Sequence, residues 1–271
     1  MMSFGHEGRS GMRSIQSRDN PYFKELLKLA GSARQRNKAN QTLLDGAHLL
    51  AAYLDNGKLP QHILLSAAAL HDGEIVRLLE RAKDVPVMQL DDPLFGELSD
   101  LKTPTGILAL IEISQPAAPV SAAHFALLLE DIQDPGNLGS MLRSAAAAGC
   151  DAVFLSPACA DAWSPKVLRA AMGGHFVLSI YERQDLLVAA RAFQGELLAT
   201  SLQASRSLYD CDLRCKVGFL VGNEGAGLSS GLLELATQQV TIPMPGKVES
   251  LNAAAATAIC LFEAVRQREG Q

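Results

Sequence analysis

Along most of this chain short unbroken apolar runs alternate with longer stretches in which apolar residues recur every three or four positions. That is the pattern of strands alternating with helices. In the first third it predicts helices over 22–30, 47–54, 73–82 and 93–98 and strands over 42–45, 62–65, 85–89 and 106–113. Further on it predicts strands over 125–130, 152–155, 176–181, 196–201, 217–222 and 239–242. Helices are expected over 139–148, 165–172, 186–193, 230–236 and 251–268. Strands that are apolar throughout and lie between helices imply a parallel sheet covered on both faces, and taken alone this alternation describes an open, doubly wound α/β sheet.

The alternation breaks once, at the uncharged stretch 114–122, which carries Pro116 and Pro119 and reads as a linker. Its 271 residues, 48% of them hydrophobic, suffice for two modest cores, one on each side of it. The first 18 residues are polar, glycine-rich and basic and read as a flexible arm. No apolar run reaches the roughly 18 residues of a membrane span, and the amino terminus has no apolar leader core, so the expectation is a cytoplasmic protein. The net charge of −5 conceals an uneven distribution: residues 1–40 hold eight Lys/Arg against three acids, leaving +5 there and −10 elsewhere. A basic amino-terminal stretch on an acidic body points to phosphate contact or to a solvated tail. Five cysteines without a C-x-x-C pair, and six scattered histidines without H-E-x-x-H, indicate neither a disulfide framework nor a metal site.

Three stretches carry candidate chemistry. In the first, Asn137 and Gly139 open a helix on which Arg143 lies one turn further. A helix amino terminus with an arginine beside it suits a phosphate or a polarised oxygen, the plainer alternative being a capping asparagine and a surface arginine. In the second, Gly222-Asn-Glu-Gly-Ala-Gly-Leu228 follows a strand, with glycines spaced for close backbone approach to a ligand. It is neither a dinucleotide fingerprint nor a P-loop. Gly227-Leu-Ser-Ser-Gly231 matches G-x-S-x-G, but Ser229 lies past the strand end and no histidine follows His175, so a hydrolase triad cannot be completed. In the third, Pro243, Pro245 and Gly246 join a strand to the last helix, so that Ile242, Met244 and the corner Ser250-Leu-Asn252 can converge on one small ligand.

In order and spacing these stretches resemble the motifs of the SpoU/TrmH family of RNA ribose 2′-O-methyltransferases, in the SPOUT class. Asn-x-Gly-x-x-x-Arg stands as Asn137, Gly139 and Arg143. Gly-Asn-Glu-Gly-x-Gly-Leu stands as Gly222 to Leu228, and Ile-Pro-Met with Glu-Ser-Leu-Asn as Ile242 to Met244 and Glu249 to Asn252. The likeness spans about 125–268, and the amino-terminal part more loosely resembles the L30e-like substrate-binding domain of ribosomal-RNA members. One departure is Ala171, where relatives often carry serine in a helix that faces RNA.

The resemblance implies an α/β protein of two domains. After the arm, 1–18, come an L30e-like RNA substrate-binding domain over 19–113, the linker over 114–122, and a methyltransferase domain over 123–271. The last has a parallel sheet with a deep carboxyl-terminal trefoil knot in place of the open sheet. It implies S-adenosylmethionine as cofactor, against Thr200, Gly222, Ile242, Met244 and Leu251, with no metal. Arg143, Asn137, Glu224 and Asn252 become the catalytic candidates, Arg143 being expected to fix an RNA phosphate and stabilise charge on the 2′-oxygen, with its position set by Asn137 and by Glu224 or Asn252. The expected partners are structured RNA, ribosomal before transfer RNA, and a second copy of the chain, approaching through the alanine-rich run 145–148. A non-catalytic RNA-binding dimer is the reading from another class; retention of all three motifs weighs against it.

Overall fold

A computed structural model of the chain describes residues 13–116 and 118–269. The chain divides into two compact units, 1–113 and 114–271.

The first unit runs β1 (Arg13–Ile15), α1 (Pro21–Gly31), α2 (Ala33–Ala39), β2 (Gln41–Asp45), α3 (Ala47–Asp55), β3 (His62–Ser66), α4 (Gly73–Arg81), β4 (Val87–Leu90), α5 (Asp92–Leu98) and β5 (Ile107–Glu112). Its sheet has the order β1-β4-β3-β5-β2, parallel except where β5 lies antiparallel to β2 and β3. Two parts of the amino-terminal reading change. Residues 13–15, assigned to the flexible arm, form an edge strand on β4, and Ile15 is buried with Phe23, Leu26 and Leu90; residues 1–12 lie outside the described residues. The unforeseen α2 has no apolar periodicity. It is held by the Ser32 cap and by Arg36, which is buried and donates to the carbonyls of Leu29 at 2.5 Å and Ala30 at 3.1 Å. One of the cations counted toward phosphate contact is therefore a helix-joining strut.

The second unit runs β6 (Phe125–Leu129), α6 (Pro135–Ala147), β7 (Ala152–Leu155), α7 (Pro165–Ala171), β8 (Ser179–Tyr181), α8 (Leu186–Ala192), β9 (Glu196–Thr200), β10 (Arg206–Ser207), β11 (Val217–Val221), α9 (Ser230–Leu235), β12 (Gln238–Thr241) and α10 (Ala253–Glu269). All seven strands are parallel, in the order β10-β12-β9-β11-β6-β7-β8. Alternate residues face opposite sides. Ala126, Leu128, Phe154, Ala199 and Leu220 bury against α8 and α9. Leu127, Val153, Leu198 and Phe219 are buried on the other side, where α10 packs on β11 and on α6, and α6 on α7. The stretch read as a linker is partly built into this unit. Val120–Ala122 forms a 3₁₀ turn packed against α8, and the Tyr181 hydroxyl donates to the Ala118 carbonyl at 2.5 Å.

The strand expected over 176–181 is shorter because Gly174–Phe176 is a 3₁₀ turn with His175 inside it. His175 Nε2 meets the Ala162 carbonyl at 2.6 Å and its ring lies 4.9 Å from that of Trp163. Burial holds its pKa down at about 4, although the Ala162 carbonyl and Asp161 act the other way. Between about 6.5 and 4 the unfolded chain thus takes a proton that the folded one refuses, and stability falls as pH drops through that window. Melting of the wild type should lose up to about 3 kcal/mol more between pH 7 and 4.5 than melting of His175→Gln, whose amide can still donate to Ala162. Parallel pH profiles for the two proteins would refute this assignment.

Candidate active site

The loops that leave the carboxyl ends of β9, β11 and β12 enclose a cleft of about 580 Å³. Parallel α/β sheets open at this edge because helices return the chain along the faces, leaving space between loops beyond the strand ends. Thr200, Gly222, Ile242, Met244 and Leu251, the five residues expected to hold a cofactor, all line it. So do Glu224 and Asn252, while Asn137 and Arg143 do not. Sequence reading passed over Leu228, Val240 and Cys260, which add apolar wall. Burial pushes the Cys260 thiol up to about 12, so it lines the cleft as a neutral group.

The helix of the first motif begins earlier than expected. Asp134 caps α6, accepting from the Asn137 amide at 2.8 Å, and Pro135 occupies its first turn. Asn137 is therefore not the cap, and its side chain is available for longer-range bonding. Its Nδ2 donates to Glu224 Oε1, and its Oδ1 accepts from Asn252 Nδ2 at 3.0 Å. Asn252 in turn caps α10, its Oδ1 accepting from the amides of Ala254 and Ala255 at 2.9 and 3.2 Å. One chain of hydrogen bonds thus joins all three motif stretches and ends on the Glu224 carboxylate at the cleft.

Arg143 stands apart from this chain. Two turns into α6, it is exposed and, among the described residues, makes no hydrogen bond or ion pair with Asn137, Glu224 or Asn252. The expectation that those residues fix its position within one chain does not hold. The six-residue separation turns Arg143 about 120° around the helix from Asn137. It shares an exposed strip with Gly136, Ser140 and Ala147. The run 145–148 is not a free face either, since Ala145 is buried and Ala146 lies against Gly174.

The glycines prove to serve contacts within the protein. A Cβ on Gly139 would lie 2.4 Å from Ala170 Cβ and 2.8 Å from the Val167 carbonyl, so this glycine lets α6 and α7 touch. Ala171, the departure from the family pattern, is 1% exposed, and its main-chain nitrogen would lie 3.1 Å from that Cβ. A Cβ on Gly222 would lie 2.3 Å from the carbonyl carbon and oxygen of Gly227. The second-motif loop thus folds onto its own base, where Asn223 and Gly227 exchange main-chain hydrogen bonds at 3.1 and 2.8 Å.

Among the described residues no group of three His, Cys, Asp or Glu is placed to hold a metal, and no helix is long and apolar enough to cross a membrane. The site has a carboxylate held by Asn137 beside a cleft with apolar walls and main-chain polar groups. That combination suits a flat heteroaromatic ligand next to a hydroxyl that must be oriented.

Comparison with known proteins accords with this geometry. Residues 124–262 match the model of the SpoU rRNA Methylase family and residues 20–109 that of the MRM3-like substrate binding domain. An uncharacterized tRNA/rRNA methyltransferase of Synechocystis is 36% identical, over 96% of this chain and 96% of the relative. The 23S rRNA (guanosine(2553)-2′-O)-methyltransferase RlmP of Bacillus subtilis is 32% identical over 93% and 98%. The crystal structure of the SpoU methyltransferase AviRb from Streptomyces viridochromogenes, in complex with AdoMet, superposes with a TM-score of 0.80 at 28% identity, covering 93% of this chain and 100% of that one.

Since the empty direction at Gly222 points into its own loop, a methyl group there should break the Asn223–Gly227 pairing. Gly222→Ala is expected to cost about 1–3 kcal/mol and to lower the melting temperature by several degrees. Gly246→Ala, whose Cβ would meet nothing within 4 Å, is expected to melt like the wild type. Equal melting of the two variants would show that the loop does not depend on this approach.

Proposed function

The chain belongs to the SpoU rRNA methylase family, and we propose that it methylates a ribose 2′-hydroxyl of 23S ribosomal RNA, using S-adenosylmethionine. The observation that carries this is that three stretches, spread over more than a hundred residues of sequence, meet in one hydrogen-bonded chain, two of them also lining one cleft. The cleft fits the cofactor: its volume lies in the range of small-molecule sites. Leu228, Val240, Ile242 and Leu251 offer apolar surface for an adenine ring, and the main-chain carbonyls of 224–226 and Thr200 offer polar groups for its edge and for the amino-acid tail.

The cofactor, when bound, supplies an electrophilic methyl group; orienting the acceptor and removing its proton fall to the protein. Alkylation of a hydroxyl oxygen releases its proton, and Glu224 is the carboxylate at the cleft to receive it. Asn137 holds Oε1, leaving Oε2 to accept a hydrogen bond from the ribose. The cap of α10 fixes the amide of Asn252 and, through it, that of Asn137, so the carboxylate is oriented before any RNA arrives. A guanidinium stays charged and is a poor base, so Arg143 acts in this reading by fixing an RNA phosphate and stabilising negative charge at the 2′-oxygen.

An arginine without partners among the described residues of its own chain finds a place if α6 of one protomer faces the cleft of another. The reading therefore includes a homodimer with shared sites. The exposed small-residue strip Gly136, Ser140 and Ala147 around Arg143 supports it, as does Phe262, 46% exposed on the neighbouring α10. It also includes a trefoil knot formed by the carboxyl-terminal segment. The interleaved strand order supports that, β11 entering between β6 and β9 before β12 leaves on the far side of β9. The first unit, as an L30e-like domain, would hold the RNA in the cytoplasm.

Arg143→Ala should keep cofactor affinity and lose about 10²–10³ in rate, with Arg143→Lys recovering only part because it lacks the planar fork. Glu224→Gln should also be slow. Mixed in equal amounts and allowed to exchange, the Arg143→Ala and Glu224→Gln proteins should regain about a quarter of wild-type turnover. Half the dimers are then mixed, each with one site carrying both native residues. A mixture no more active than its components would rule out shared sites. A wild type that bound no S-adenosylmethionine in calorimetry would remove the whole reading.

A further inference from the structure

The residue that follows Gly222 has no role in the reading above, although it lines the cleft. Asn223 commits every polar group it has to the protein. Its main-chain N–H and C=O pair with Gly227. Its Oδ1 accepts from the amides of Gly225 and Ala226 at 2.9 and 3.1 Å, and its Nδ2 donates to the Asp131 carbonyl at 2.9 Å. The first four bonds are local and shape the loop; the fifth crosses 92 residues of sequence to the end of β6.

The acceptor is presented at some cost. Asp131 takes a left-handed backbone conformation, φ +56°, uncommon outside glycine and tolerated by aspartate and asparagine at a modest cost. Ser156 holds it there, its hydroxyl accepting from the Asp131 amide at 2.9 Å and donating to the Asp131 carboxylate at 2.6 Å. At the far end of the loop the preceding residue, Glu130, accepts from the Ser229 amide at 2.7 Å. Two adjacent residues at the end of β6 thus anchor both ends of the glycine loop. A strained residue fastened by a third strand's loop and aimed at one amide is the arrangement expected where a position must be fixed.

We propose that Asn223 is a positioning residue for the cofactor: through its bond to Asp131 it holds the main chain of 224–227 at the wall of the cleft, and it thereby sets affinity for S-adenosylmethionine. This rests on the cofactor assignment above. Asn223 touches no reacting atom, since its own polar groups are all occupied. Its function lies in the donor Nδ2, which can be separated from the acceptor Oδ1 by a single substitution.

Asn223→Asp keeps the acceptor for Gly225 and Ala226 and sets a second carboxylate oxygen against the Asp131 carbonyl. The neighbourhood already holds the carboxylates of Glu130, Asp131 and Glu224. Repulsion there should raise the new carboxyl above the usual range, and once protonated it again has a hydrogen to donate. Calorimetry of the 271-residue chain with S-adenosylmethionine, between pH 8 and 6, compares each variant with the wild type at the same pH, because the ligand's own amino group titrates in this range. Relative to the wild type, Asn223→Asp should be at least about tenfold weaker at pH 8 and should close that gap toward acid. Amide exchange of Gly225 to Gly227 in the ligand-free chain should be faster in the variant at pH 8 and approach the wild type at pH 6. Asn223→Ser, which can accept from the loop but cannot reach Asp131, serves as a second variant and should be weakened at every pH. Wild-type affinity in either variant at pH 8 would overturn the proposal, and so would a weakening of Asn223→Asp that acid does not relieve. Failure of the wild type itself to bind would instead strike the cofactor assignment on which this rests.

Discussion

The two ends of the Asn137 side chain are chemically opposite, and what decides which end faces Glu224 lies two residues away along a hydrogen-bonded chain. The amides at the amino terminus of α10 can only donate, so Asn252 must turn its oxygen to them; its nitrogen then faces Asn137, whose oxygen must receive it. Asn137 is left with its nitrogen toward the Glu224 carboxylate. A helix end thus sets the polarity of the whole site. No member can be reversed without setting donor against donor or acceptor against acceptor.

This dependence explains which parts of the site were legible in the sequence. The glycines, prolines and apolar periodicity marked out the three stretches, and the family they resemble, rather than the spacing itself, pointed to seven of the residues that line the cleft. The bonds that make it a site left no mark. Asn137 reads as a helix cap until Asp134 is seen to do that work, and only then does its side chain become free to reach Glu224. The glycines were legible as places of close approach, but not what approaches. At Gly139 it is a second helix and at Gly222 the loop's own base, both protein contacts that a ligand-centred reading cannot anticipate.

Elsewhere the limits have equally specific causes. α2 is invisible to periodicity because its one buried side chain is an arginine, stabilised by two carbonyls at the end of the preceding helix rather than by apolar contacts. β1 is three residues long and contributes one buried side chain, too little pattern to separate it from an arm. The sheet of the second unit was legible as parallel because its central strands β6, β7 and β11, and the middle of β9, are apolar on both faces. Its order was not, because inserting β11 between β9 and β6 changes neither the hydrophobicity nor the length of any strand.

That order places the chemistry. With β11 between β6 and β9, the glycine loop leaves the sheet beside the end of β6, and the carbonyl of Asp131 and the carboxylate of Glu130 come within reach of it. The ladder ends at Val221, paired with Leu129, so beyond it the loop is tied to the end of β6 by side chains bonding to main chain. Such bonds are directional and individually modest, which lets a loop be held in one shape without adding to the core. It follows that the affinity of the cleft and the stability of the sheet rest on different residues. A polar substitution beyond the last ladder pair can empty the site and leave the fold intact, whereas an apolar one within it would remove both together.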